Sequence, residues 1–142
     1  MGLNDGNNAV SAFKKATELN PQNHQAYFYQ GMAYLNLLNA PDKAAECCEK
    51  AIAIYPRRNF DYYYILGFAC VNAEKYSRAI EVFNEAVKLN AKDFRTYLWR
   101  GLAYEQTGNL KQAKSDYETA LKLNPNQENA ADLRQKIQSL KG

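Results

Sequence analysis

The chain repeats itself, and the length of the repeat constrains the fold more than any other feature. Gly31, Gly67 and Gly101 are spaced by 36 and 34 residues. Four residues before each glycine stands a tyrosine, namely Tyr27, Tyr63 and Tyr97. Two residues after each stand Ala33, Ala69 and Ala103, and three after stand Tyr34, Cys70 and Tyr104. Twelve or thirteen after each glycine come Ala44, Ala79 and Ala113. Counting from these alanines, Cys48, Phe83 and Tyr117 follow at four, Ala51, Ala86 and Ala120 at seven, and Pro56, Ala91 and Pro125 at twelve. This second half-pattern also opens the chain, as Ala9, Phe13, Ala16 and Pro21. A period of this size marks a small unit that buries its apolar face only by stacking on its neighbours.

Each copy holds two apolar stripes with spacings of four and three, the signature of two helices. Small residues let the helices approach, and the large ones fill the space between them. Asn20-Pro21 and Asn124-Pro125 close the second helix of their copies. Only four prolines and seven glycines occur, too few for the many turns of an all-β fold. The patterns Tyr63…Leu66-Gly67…Cys70…Ala79…Phe83…Ala86 and Tyr97…Gly101…Tyr104…Ala113…Tyr117…Ala120…Pro125 resemble the tetratricopeptide repeat in register. The resemblance runs from about residue 9 to about residue 125. It implies an all-α fold, a right-handed α-solenoid of tandem helix-turn-helix repeats. The chain departs from the family pattern in four places. Tyrosine replaces the usual tryptophan, the inner turn Asn39-Ala40-Pro41 holds an extra residue, another extra residue lies near Asn59, and Ala91 replaces the closing proline.

The expected layout is one domain over residues 1–142. A leading half-repeat covers 7–23, with its helix at 7–19; full repeats cover 24–58, 60–93 and 94–127; a capping helix covers 127–141. That last helix carries Ala130, Leu133, Ile137 and Leu140 on one stripe and polar residues elsewhere, as a cap should. The first helix has no such cap. Either the array continues before it, or another surface covers Phe13.

A second stripe runs along each first helix. It reads Gln25, Phe28, Met32, Leu35, Asn36, then Asp61, Tyr64, Phe68, Val71, Asn72, then Arg95, Leu98, Leu102, Glu105, Gln106. The resemblance implies that these positions line a concave groove that grips a peptide or helix of a partner. The partner-binding set is expected to be Phe28, Met32, Leu35, Asn36, Tyr64, Phe68, Asn72, Arg95, Leu98 and Leu102. Its apolar middle suits a contiguous binding patch, and the amides of Asn36, Asn72 and Gln106 can donate to and accept from a bound backbone. The competing reading is that some of these side chains simply pack on the neighbouring helix. The resemblance also implies where a clamp for a terminal carboxylate would stand, at Phe28, Met32, Ile65, Arg95 and Trp99. Only Arg95 carries a suitable charge, and a lone cation cannot replace multi-donor capture.

The sequence offers little chemistry. No nucleophile stands with a base, no glycine loop cradles phosphate, and no cofactor is implied. Cys47, Cys48, Cys70 and a single histidine, His24, lack metal-ligand spacing. Three cysteines without a framework suit free thiols in a reducing compartment. Cys48 and Cys70 fall where the repeat wants buried bulk, Cys47 is reactive only if exposed, and His24 is read as solvent-facing or capping. Glu46/Glu49 and Glu81/Glu85 read as solvated charge, and the rings of Tyr62-Tyr63-Tyr64 point in different directions. Arg57-Arg58, and Lys88, Lys92, Arg95 and Arg100, form at most a weak surface for anions, diluted by Asp93. A net charge of +3 gives no ground for nucleic-acid binding. Neither a secretory signal nor a membrane-spanning run is visible. Met1-Gly2 would suit myristoylation, but Gly6 stands where Ser or Thr is wanted. The expected setting is intracellular, unless the chain is a piece of a longer protein. Two alternatives to the groove reading stand. One is self-assembly through an open N-terminal face around Ala9, Val10, Phe13 and Ala16, and the other is an accessory domain of a larger protein, an enzyme included.

Overall fold

A computed structural model describes residues 3–55 and 57–140, and every regular element among them is an α-helix. Internal contacts divide the chain into two units, Met1–Glu74 and Lys75–Gly142. The sequence reads as one domain, whereas this division falls inside the second full repeat, between its two helices. The closing position Pro56 and residue 141 of the expected capping helix lie outside the described residues.

The first unit holds α1 (Leu3–Leu19), α2 (His24–Asn36), α3 (Pro41–Ile54) and α4 (Phe60–Asn72). Each helix packs on the next, and α2 also touches α4. Local chemistry sets the boundaries. The Asn23 side chain accepts from the Ala26 N–H at 3.1 Å and starts α2, and Asn59 accepts from the Tyr62 N–H at 3.3 Å and starts α4. Pro41 opens α3, where its missing N–H costs nothing. The spacing predicts a first helix over 7–19, yet α1 begins at Leu3. The physical reason is Gly6, which is buried against Leu38; a Cβ there would stand 2.7 Å from Leu38 Cδ2.

The second unit holds α5 (Tyr76–Leu89), α6 (Phe94–Gln106), α7 (Leu110–Leu123) and α8 (Ala130–Ser139). Here too α5 packs on α6, α6 on α7 and α7 on α8. A Cβ at Gly101 would come within 2.9 Å of the Tyr117 ring, so the repeat glycine leaves room for that ring where α6 packs on α7. The expected capping helix is shorter than 127–141. Gln127 is buried, and its side-chain N–H groups donate to the carbonyls of Ala120 and Asn124 at 3.2 and 3.0 Å, finishing α7 instead of starting α8.

The stripes read from the sequence are the cores of these units. In the first, Ala44, Cys48 and Ala51 have no exposed surface. In the second, Ala79, Phe83, Ala86, Ala113 and Ala120 have none, and Tyr117 only 1%. Burying one such large side chain is worth about 1.5–3 kcal/mol. The repeat tyrosines are half-buried, and each carries a cation over its ring: Lys50 over Tyr27, Arg58 over Tyr63 and Arg100 over Tyr97, at 5.7, 5.4 and 5.4 Å.

Candidate functional site

In the second unit the faces of α6 and α8 leave a cleft of about 230 Å³. Leu98, Trp99 and Leu102 line it from α6, Tyr117 from α7, and Asp132, Leu133 and Lys136 from α8, with Asn129 just before that helix. Helical spacing explains the set. Leu98 and Leu102 are four apart, Asp132 and Lys136 are four apart, and Leu133 sits between the latter two on the same face. Leu98 rests on the core made by Ala113, Tyr117 and Leu133. One polar network underlies the cleft. The Tyr117 hydroxyl donates to Glu105 Oε1 at 2.7 Å, and Lys136 Nζ donates to the same oxygen at 3.0 Å while lying over the Tyr117 ring. Burial first, and the Glu105 carboxylate second, push the Tyr117 phenol well above its ordinary range, so it keeps its proton and remains a donor.

The first unit has a cleft of its own, of about 240 Å³, between α1 and α2. Ala9 and Phe13 line one wall, and Tyr29, Met32, Ala33, Asn36 and Leu37 the other. The Phe13 and Tyr29 rings touch, with centroids 5.7 Å apart.

These placements sort the residues expected to bind a partner. Leu98 and Leu102 share the second-unit cleft, and Met32 and Asn36 share the first-unit cleft. Phe28, Leu35 and Tyr64 are not exposed patch residues; each is at most 9% exposed, and so is Val71. Phe28 packs its ring on Tyr62 at 4.6 Å, and Tyr64 stacks between Phe60 and Phe68. These four side chains are buried. Phe68 is half-buried in that stack. The Asn72 amide donates to the Phe68 carbonyl of its own helix at 2.8 Å. Arg95 is bound in two places to Asp93, at 3.0 and 2.6 Å. Of the expected oligomer face, Phe13 lines the cleft, but Val10 is 8% exposed and belongs to the core.

Other expectations also shift. His24 is not solvent-facing: its ring stacks on Tyr55 at 4.4 Å, and its Nδ1 shares a 2.6 Å hydrogen bond with the Tyr62 hydroxyl. Cys47 is buried, and burial pushes its thiol up to about 11; Cys48 is pushed up to about 12 by the same cause. Neither forms the reactive thiolate near neutral pH. Of the basic residues read as a weak surface for anions, Lys88 pairs with Glu85, Arg95 with Asp93, and Arg100 with Asp116. Glu81 likewise pairs with Arg78. Among the described residues no group of three His, Cys, Asp or Glu side chains could hold a metal ion, and no helix is long and apolar enough to cross a membrane.

The sequence reading named Trp99 only as a position where a carboxylate clamp would stand, left it out of the partner-binding set, and missed the Arg100–Asp116 pair. The polar pair was legible from the repeat, because the matching positions of the second repeat are Leu66 and Val82.

Comparison with known proteins bears on both the fold and the site. Tetratricopeptide repeat family models match residues 66–138 and residues 1–59. Tetratricopeptide repeat protein 16 of Homo sapiens is 26% identical over 132 residues, covering 86% of this chain and 15% of that protein. The chain spans only 12% to 17% of the first curated relatives it matches. Among solved structures, the crystal structure of MamA is 25% identical with a TM-score of 0.88, over 96% of this chain and 78% of that one. The first TPR of Spaghetti (RPAP3), bound to the HSP90 peptide SRMEEVD, is 29% identical with a TM-score of 0.75, over 83% of this chain and 92% of that one.

Proposed function

Because the chain belongs to the tetratricopeptide repeat family, we propose that it is a non-catalytic module that binds a segment of another protein, docked in the cleft between α6 and α8. The observation that carries this is the cleft itself: an apolar floor of Leu98, Leu102 and Leu133, one tryptophan at its edge, and a rim of Asn129, Asp132 and Lys136. Apolar floors with a few convergent polar groups are the usual form of a binding site. An aliphatic or aromatic side chain of a helical or extended segment fits over the leucines, and the rim supplies both donors and acceptors for its polar groups.

The RPAP3 domain is bound to an HSP90 peptide, which supports recognition of a protein segment. It does not carry over the way that peptide is held. The positions where a carboxylate clamp would stand carry Phe28, Met32, Ile65, Arg95 and Trp99, and Arg95 is occupied by Asp93. The proposed ligand is therefore an internal apolar segment and not an acidic chain end. An intracellular setting belongs to the same reading, since Cys47 and Cys48 are buried free thiols.

Peptides selected on the wild-type protein should bind Leu102→Glu at least tenfold more weakly, with helical circular dichroism unchanged. Equal affinity for both proteins would remove the cleft from the account. Self-assembly has narrower support: Phe13 lines the first-unit cleft, and Tyr29 and Leu19 are 50% and 82% exposed. Sedimentation that stays monomeric across a hundredfold range of concentration would dispose of it.

A further inference from the structure

The junction between α3 and α4 departs from the other places where one repeat passes to the next. Asn20-Pro21-Gln22-Asn23 and Asn90-Ala91-Lys92-Asp93 each use four residues, the connection 124–129 before α8 uses six, and all three begin with asparagine. In two of them that asparagine folds the turn onto itself, Asn20 Oδ1 accepting from the Gln22 N–H at 3.1 Å and Asn90 Oδ1 from the Lys92 N–H at 3.0 Å. The junction at 55–59 has five residues, puts Tyr55 in place of the asparagine, and carries Arg57 and Arg58 side by side.

At this junction stands a small cavity of about 80 Å³, lined by Ile52, Tyr55, Arg57, Arg58, Asn59, Tyr62 and Tyr63. Its volume is that of roughly three waters, enough for one small head group and too little for a ring or a whole side chain. Its chemistry is one-sided. Its described lining holds no acidic residue and includes two arginines and three tyrosines, of which Tyr62 already bonds its hydroxyl to His24. Asn59 Oδ1 accepts from the Tyr62 N–H at 3.3 Å, which leaves the amide N–H groups as what Asn59 can offer a ligand. Arg58 lies over the Tyr63 ring at 5.4 Å. Tyr55 is held by stacking on His24. None of these residues lines the α1–α2 cleft.

We infer that this junction is a second binding pocket, for a single oxyanionic group, phosphoryl or carboxylate, held chiefly by the Arg57 fork with help from Tyr55 and Asn59. Guanidinium groups match both oxyanions through paired N–H donors. The inference is independent of the apolar cleft and does not rest on it.

The test uses the full chain, isotope-labelled, titrated at constant ionic strength with inorganic phosphate, with acetate, and with chloride as the control. The amide signals of Arg57 and Asn59 and the Arg57 side-chain Nε signal should shift saturably with phosphate or acetate and not with chloride. Saturation by phosphate alone assigns the pocket to a phosphorylated group, and saturation by acetate assigns it to a carboxylate. Arg57→Ala should weaken the saturating ion at least tenfold, and Tyr55→Phe, which removes only a hydroxyl, should weaken it less. Shifts that never saturate or that chloride reproduces, or unchanged binding by Arg57→Ala with its helical signal intact, would overturn the assignment.

Discussion

Arg100 and Asp116 occupy positions that Leu66 and Val82 hold in the second repeat. The guanidinium donates to both Asp116 oxygens at 2.8 Å and to Asn84 at 3.0 Å, and it lies between the Tyr97 and Tyr104 rings. The two side chains are 16% and 7% exposed. Burial pushes the Asp116 carboxyl up while the guanidinium pulls against it; burial pulls Arg100 down, but the Asp116 carboxylate more than offsets this. Removing one partner strands a buried charge, so Arg100→Leu should cost about 3 kcal/mol in chemical denaturation. The double variant Arg100→Leu/Asp116→Val restores the apolar pair of the second repeat and should return to within about 1 kcal/mol of the wild type. A double variant no better than the single would show that the pair supplies more than charge balance. The cysteines give a second prediction at this scale. With Cys47 at about 11 and Cys48 at about 12, and Cys70 1% exposed, a thiol reagent at neutral pH should label the native protein slowly and all three thiols quickly once it is unfolded. Fast labelling of a single thiol in the native state would contradict the buried placement.

The turn inside each repeat passes through the left-handed region once, at Asn39, Glu74 and Gly108, with φ of 48°, 60° and 83°. A Cβ added at Gly108 would meet nothing within 4 Å, so a side chain there has room and only the backbone conformation opposes it. Gly108→Ala should therefore lose about 1 kcal/mol from backbone strain alone, whereas Glu74→Gly should leave the melting temperature equal or higher. At the start of α6, burial would raise the Asp93 carboxyl, but hydrogen bonds and charge from Arg95 win and hold it below the ordinary carboxylate value. A depressed folded value means that this stabilisation is complete above the ordinary Asp pKa of about 3.9 and is lost as pH falls through the folded value. The Arg95 amide signal should follow that acid transition in the wild type. In Asp93→Asn, which keeps the cap without the charge, the transition should vanish. Helix positions were legible because the stripes, caps and turn residues agree with one another. Which face of each helix stays open was not. Spacing says which residues share a stripe, not how wide the covered stripe is, and α4 is apolar nearly all round, from Phe60 through Tyr62, Tyr63, Tyr64 and Ile65 to Phe68. A helix of that kind is buried on most sides, and this was the available signal that Tyr64 and Val71 belong to the core.

At the scale of the molecule, the repeat reading gives the right class of fold, an all-α tetratricopeptide repeat, but it spreads one binding surface evenly along three helices. Of the expected residues, Met32 and Asn36 share a cleft in the first unit, and Leu98 and Leu102 share another in the second. Residues from α1 and α8 complete those clefts, and the repeat pattern treats both of these helices as ends, not as walls. The second-unit cleft contains its own reporter, because Trp99 is the single tryptophan of the chain. Its emission, followed while a selected apolar peptide is titrated into wild-type protein and into Leu102→Glu, tests the central claim most directly. The account predicts a saturable blue shift in the wild type and a curve moved at least tenfold to higher concentration in the variant; a peptide that binds both proteins equally and leaves the Trp99 emission unchanged would contradict it.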